Sequence, residues 1–319
     1  MVDLPPALPS ALIVAGPTTS GKSALALDLA ERLGGTIINA DAMQVYRELR
    51  IVTARPTPEE EARAPHRLYG VRPAAEPGSV AWWRGEALRE MAASRLPILC
   101  GGSGLYLAAL TEGLADIPDP GTAARAEARR RLTEQGPAAL HAALAAVDPA
   151  TAARLLPSDS QRVARAWEVW AGTGRGLAAW QAERGAPAPY RFAAILLDPP
   201  RAALREAIAR RFAAMIAAGA VAEVAALLAL GLDPALPAMR AHGVPELAAH
   251  LRGEITLAEA QRRAELVTGQ YTKRQATWFR HHALASAERT HTIHARITDL
   301  TQFSERDLAD LAKFLRALG

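Results

Sequence analysis

Residues Gly16-Pro17-Thr18-Thr19-Ser20-Gly21-Lys22-Ser23 read G-x-x-x-x-G-K-S. This is the Walker A spacing, in which backbone amides cradle a chain of phosphates. Its lysine, here Lys22, reaches the outer phosphate oxygens, and its hydroxyl, here Ser23, takes a place on Mg²⁺. A glycine turn with no ligand is the bland alternative, but it does not require the flanking pattern found here. Ala11 to Ala15 is an apolar run suited to a buried strand, and Leu25, Leu27, Leu29, Ala30 and Leu33 follow at helical spacing. Strand, loop and helix in that order aim amides and a helix N-terminus at one anion.

Asp41 closes a second apolar run, Thr36 to Ala40. A parallel α/β sheet places its working groups just past the carboxyl ends of strands. A carboxylate there can hold Mg²⁺, accept a proton or cap the following turn, and the residue alone leaves all three open. Further loop elements are Thr53 to Pro56, His66 to Leu68 and Arg240-Ala241-His242-Gly243. Gln161, Arg165 and Glu168 share a helix face, which could equally be a salt-bridged surface. Between Gln261 and His294, six basic residues stand against Glu265 and Glu288, interleaved with Tyr271, Trp278, Phe279 and four histidines. Basic and aromatic residues together suit single-stranded nucleic acid, although a solvated helix face has the same charge.

The elements that must position these groups follow from the apolar patterning. Third and later strands are expected at Leu96 to Cys100, Tyr190 to Asp198 and Thr290 to His294. Helices are expected at Ser79 to Ser94 with Ser79 as N-cap, from Leu105, at Arg201 to Ala218, Ala220 to Leu230, Thr256 to about Ala287, and Ser304 to Leu318. Ala42 to Pro77 reads as an extended loop. From Thr122 to about Ala186 only helical segments appear, separated by Gly136-Pro137, Asp148-Pro149 and Gly172-Thr173-Gly174. The expected fold is a P-loop NTPase-like α/β parallel sheet flanked by helices, with an all-helical insertion: core 1–115, insertion 116–189, core again 190–319.

The 319 residues are half apolar, carry a net charge of +4 and include one cysteine, Cys100. A single cysteine excludes disulfide frameworks and zinc clusters and suits a reducing compartment. Met1 to Ser10 is proline-rich and does not read as a signal peptide. Ala213 to Leu232 is apolar enough to suggest a membrane span, but Glu223 and Gly219 interrupt it, so two buried helices are expected. A soluble cytoplasmic protein follows.

Taken together, the chain resembles the bacterial tRNA dimethylallyltransferase family, enzymes that prenylate an adenine beside the anticodon. The resemblance runs from Gly16 to about His281. Gly16 to Ser23 is similar to G-P-T-x-S-G-K-[ST], Asp41 to Tyr46 to D-S-x-Q-x-Y, and Thr53 to Pro56 to G-T-A-K-P. Gly101 to Tyr106 is similar to G-G-T-G-L-Y, Gln161 to Arg165 to Q-R-x-x-R, and Lys273 to Arg280 to K-R-Q-x-T-W-F-R. Departures stand at Ala42, Val52, Arg55, Ser103, Val244-Pro245, Gly269 and Thr272.

The resemblance implies dimethylallyl diphosphate in the loop Gly16 to Ser23, a diphosphate leaving group offset by Lys22 and by Mg²⁺ on Ser23, and Asp41 as acceptor of the N6 proton. It implies contacts to a tRNA anticodon stem-loop from Asp41, Ala42, Met43, Gln44, Ser103, Arg125, Gln161, Arg162, Val163, Ala164, Arg165, Arg240, Lys273, Arg274, Gln275, Trp278 and Arg280. A monomer is expected. The rival enzyme readings are a small-molecule P-loop kinase and an isopentenyltransferase acting on free adenine nucleotides. Outside enzymology, the rival is an RNA-binding protein with a regulatory nucleotide site.

Overall fold

The computed structural model describes residues 10–183, 185–298, 311, 313 and 314. The expectations for Met1 to Pro9 and for a helix at Ser304 to Leu318 lie outside the described residues, apart from those last three positions. Six strands form one parallel sheet in the order β3-β2-β4-β1-β5-β6. They are β1 (Ser10–Ala15), β2 (Thr36–Asn39), β3 (His66–Arg67), β4 (Pro97–Gly101), β5 (Arg191–Leu197) and β6 (Thr290–Ile293). β1, β2 and β4 are apolar and almost wholly buried, as a strand covered on both faces must be.

Between β1 and β2 runs α1 (Lys22–Leu33), whose buried face is Leu25, Ala26, Leu29 and Ala30. Gly34 ends it in the left-handed conformation. The stretch 42–77 is not a plain loop. It contains α2 (Pro58–Arg63), closed by a capping box between Thr57 and Glu60, and the edge strand β3. Two residues of polar sequence carry no periodicity, so only pairing with β2 makes β3 a strand. α3 (Val80–Ala92) begins where Ser79 accepts a hydrogen bond from Trp82 N, and α4 (Gly104–Thr111) follows β4.

The chain divides into two compact units, one of residues 1–111 with 188–319 and one of 112–187. The second is all helical: α5 (Gly121–Val147), α6 (Pro149–Ala152), α7 (Ser160–Thr173) and α8 (Leu177–Ala182). α5 is broken at Gly136, whose φ is 78°, just ahead of Pro137. Its core is Ala128, Leu140, Leu144, Val163, Ala166 and Trp167. Arg131 lies 4.4 Å over the Trp167 ring. The Asp148 carboxylate accepts from Thr151 N and Leu177 N, joining two helix starts.

The first unit continues after β5 with α9 (Arg201–Ala217), α10 (Ala220–Ala229), α11 (Val244–Leu251) and α12 (Leu257–His281). α9 and α10 meet at 66° across Gly219, whose φ is 102°. No single described helix is long and apolar enough to cross a membrane. α11 was not expected from the sequence, where Val244-Pro245 reads as a motif departure. Proline is at home in a first helical turn, and Val244, Leu247 and Ala248 bury one face. α12 stops at His281, short of the expected Ala287, and a 3₁₀ turn at Ala287–Arg289 leads into β6.

The strand ends pack closely where the site forms. A Cβ on Gly101 would meet the carbonyl oxygen of Ala40 at 2.0 Å. Gly101→Ala must push the ends of β2 and β4 apart, at a cost of about 1–3 kcal/mol or more. Chemical denaturation should show that loss, and an unchanged midpoint would contradict this packing.

Candidate active site

The phosphate loop leaves the end of β1 and enters α1. Gly21 (φ 95°) and Thr19 (φ 66°) both adopt left-handed backbone, a conformation open to glycine and strained for threonine. At Gly16 a Cβ would lie 2.8 Å from Leu197 O. The Gly21, Lys22 and Ser23 amides donate to no carbonyl among the described residues. Three N–H groups therefore stand at the head of α1, ready for an anion. Ser20 Oγ is fully buried and also has no partner.

Lys22 is 9% exposed, and among the described residues its ammonium has the Pro17 carbonyl alone, at 3.5 Å. Burial lowers its pKa below the ordinary lysine value, opposed by the nearby Asp41 carboxylate. Arg211 of α9 extends into the same region, donating to Thr53 O at 3.1 Å. Burial lowers its pKa as well, again opposed by Asp41. Neither cation forms an ion pair within 4.0 Å among the described residues. A buried and a half-buried cation without a touching carboxylate suit an outside anion. At the end of β4, burial pushes the Cys100 thiol up to about 11, so it stays neutral.

Arg211 belongs to no motif of the sequence. Its position carried a signal: Leu204, Ile208, Phe212 and Met215 are buried along α9, and Arg211 interrupts that stripe. A cation at helical spacing among core residues has to have a use.

Asp41 sits past β2 on a scaffold made by buried Asn39. Asn39 Oδ1 accepts from Asp41 N at 2.8 Å, while its amide donates to Asp41 O and Leu68 O. Asp41 Oδ1 accepts from Met43 N at 2.9 Å. The capping role is therefore real, but it takes one oxygen; the other makes no described hydrogen bond. Ala42 N donates to Ser103 Oγ at 3.0 Å, joining this turn to the end of β4. Gln44 donates to Thr53 O and Ala54 O. Arg55 donates to Tyr46 O and Arg47 O, so it braces the loop.

α12 supplies the remaining wall. Gln275, 4% exposed, accepts from Thr18 N and donates to Gly102 O, both at 2.9 Å. Tyr271 meets His242 edge-on with ring centroids 4.8 Å apart. Burial and then Asp41 push the Tyr271 phenol up to about 12, while burial lowers the His242 pKa. Trp278 packs against Gly104 and stacks on His282 at 4.2 Å. Lys273, Arg274 and Arg240 are exposed, with Arg274 5.6 Å from the Tyr271 ring; Arg280 pairs with Asp198 at 3.4 Å.

Within the helical unit, Gln161 is exposed, and Arg125, Arg162 and Arg165 pair with Asp119, Asp159 and Glu168. Ala164 is half-buried. Val163 is fully buried in that unit's core, and Gln275 spends its amide on two backbone groups. Those two side chains serve the fold directly.

A phosphate loop after β1, an aspartate after β2, and a buried and a half-buried cation near them define a P-loop-type protein with a basic, aromatic helix beside the loop. Residues 44–282 match the IPP transferase family model. A tRNA dimethylallyltransferase of Acidiphilium cryptum is 66% identical over 312 residues, covering 98% of this chain and 96% of that one. One from Granulibacter bethesdensis is 63% identical, covering 96% and 98%. The crystal structure of a tRNA isopentenylpyrophosphate transferase from Bacillus halodurans superposes with a TM-score of 0.67 at 31% identity, covering 97% and 96%. The chain belongs to the tRNA dimethylallyltransferase family and is a prenyl-transferring enzyme.

The electrostatics of Lys22 can be checked without substrate. Lys22→Met removes a buried, unpaired charge, so folding stability should stay level or rise by roughly 1 kcal/mol. Diphosphate binding should be lost in the same variant. A fall of several kcal/mol in denaturant unfolding would mean that the ammonium is already satisfied.

Proposed function

We propose that the enzyme transfers a dimethylallyl group from dimethylallyl diphosphate to the exocyclic N6 of the adenine next to the anticodon of tRNA, releasing diphosphate. Lys22 and Arg211 carry this reading: a buried and a half-buried cation beside the phosphate loop, neither with an ion-pair partner among the described residues. The diphosphate lies against the amides of Gly21, Lys22 and Ser23. As the carbon–oxygen bond breaks, negative charge gathers on the leaving oxygen, and the two cations stabilise it in a water-poor setting. N6 forms the new bond to the allylic carbon and loses a proton. Asp41 takes that proton on the oxygen not occupied by Met43 N.

Mg²⁺ suits the donors here. Among the described residues no cluster of three His, Cys, Asp or Glu could cage a metal. Mg²⁺ in such sites uses one or two protein oxygens together with the substrate's phosphates, and the Ser23 hydroxyl at the head of α1 would supply one. When bound, the ion would further neutralise the leaving diphosphate.

The adenine must leave its stack to reach Asp41. The exposed cations Lys273, Arg274 and Arg240, with Trp278 on the same wall, fit the backbone and bases of an unpaired loop. Arg125, Arg162 and Arg165 of the helical unit would exchange their surface ion pairs, each worth little, for tRNA phosphates. In this reading the enzyme acts as a monomer in the cytoplasm.

Labelled dimethylallyl diphosphate offered with tRNA, with AMP or alone should label tRNA only; transfer to AMP would favour a small-molecule acceptor. In single-turnover transfer to tRNA, Asp41→Asn keeps the cap but cannot take the proton. It should lose about 10²- to 10⁴-fold in rate with both substrates still bound. Wild-type rates would return Asp41 to capping alone. Alanine at Arg162, Arg165 or Lys273 should weaken tRNA binding and lower its salt slope by up to about one unit per phosphate contact. Unchanged affinity in all three would leave them as solvated surface.

A further inference from the structure

The turn at residues 50–54 has an unusual cap. The amides of Arg50, Ile51 and Val52 all donate to the Glu223 carboxylate, at 2.7, 2.7 and 2.8 Å. Glu223 lies more than 170 residues away in sequence, in the first turn of α10. Within the turn, Ala54 N donates to Ile51 O and Arg55 N to Arg50 O; Ala54 is left-handed, with φ 47°. The segment is thus a single helical turn with its N–H end closed by a carboxylate and its carbonyl end open. The Thr53 carbonyl at that open end accepts from Arg211 at 3.1 Å and from Gln44 at 2.9 Å, and Ala54 O also accepts from Gln44. For the Arg211 guanidinium this is the only described hydrogen bond, so its direction depends on where the Thr53 carbonyl stands.

We propose that Glu223 is a positioning residue for diphosphate binding: by closing the amide end of the turn at 50–54, it fixes the carbonyl that aims Arg211 at the phosphate loop. This rests on the reading of Lys22 and Arg211 as the diphosphate site. A carboxylate is required because all three donors are N–H groups and a charged acceptor satisfies them together. The near-isosteric Glu223→Gln puts an NH₂ group against one of the amides, leaving at least one N–H unmet while preserving volume.

The test combines titration of inorganic diphosphate with Mg²⁺ and hydrogen exchange at residues 50–52. Glu223→Gln should weaken diphosphate binding about tenfold, and in an Arg211→Ala background it should add less than about twofold, because the two act as one unit. The amides of residues 50–52 should exchange at least about tenfold faster, with α1 unchanged and tRNA affinity retained. If Glu223→Gln does not fold, Glu223→Asp keeps the charge with a shorter reach and should show the same coupling at smaller size. Additive losses in the double variant, or unaltered exchange at residues 50–52, would overturn the role of Glu223 alone. A wild-type protein that binds no diphosphate would overturn the reading of the site, and this proposal with it.

Discussion

The Gln275 carboxamide ties the phosphate loop and the end of β4 to α12. Its oxygen accepts from Thr18 N in the phosphate loop and its nitrogen donates to Gly102 O beyond β4. Both groups are backbone atoms just past the carboxyl ends of neighbouring strands β1 and β4, and the residue that links them comes from α12. Without that bridge, a buried amide and a buried carbonyl would each lack a partner, at a cost of about 1–3 kcal/mol per group. The arrangement of α12, and of Tyr271 and Trp278 along it, is therefore set by the phosphate loop.

The electrostatics have a direction. Lys22, Arg211 and His242 all have pKa values lowered first by burial, and Asp41 opposes the shift in each case. One carboxylate offsets several groups and neutralises none by contact. The resulting deficit of negative charge suits a ligand that brings its own, and it explains why the site is built at some expense of stability. Cys100, raised to about 11 in the same surroundings, adds no charge of its own.

The helical unit follows a different logic. Its cations pair with nearby carboxylates on the surface, as Arg165 does with Glu168, and its interior is a small apolar core around Trp167. Such pairs contribute little to stability. They can be exchanged for phosphates at little loss, whereas Lys22 and Arg211 have no carboxylate partner to give up among the described residues.

The strands β1, β2, β4, β5 and β6, the phosphate loop and the place of Asp41 were legible from the chain alone, because each depends on local rules. Buried parallel strands are apolar runs, helix starts carry caps such as Ser79, and a phosphate loop needs glycine at positions such as Gly21. The identity of the family was legible too, in the order of its motifs. Tertiary structure decided the rest. β3 exists only because β2 offers it an edge, and α11 forms around a proline whose neighbours find a core. Gln275, which resembles a nucleic-acid contact in sequence, turns inward because two buried backbone groups need it. Arg211 and Glu223 lie on an alanine-rich stretch, where neither is near any motif. Their roles arise from contacts across more than 150 residues of chain; periodicity sets Arg211 among core positions but does not say what either side chain touches.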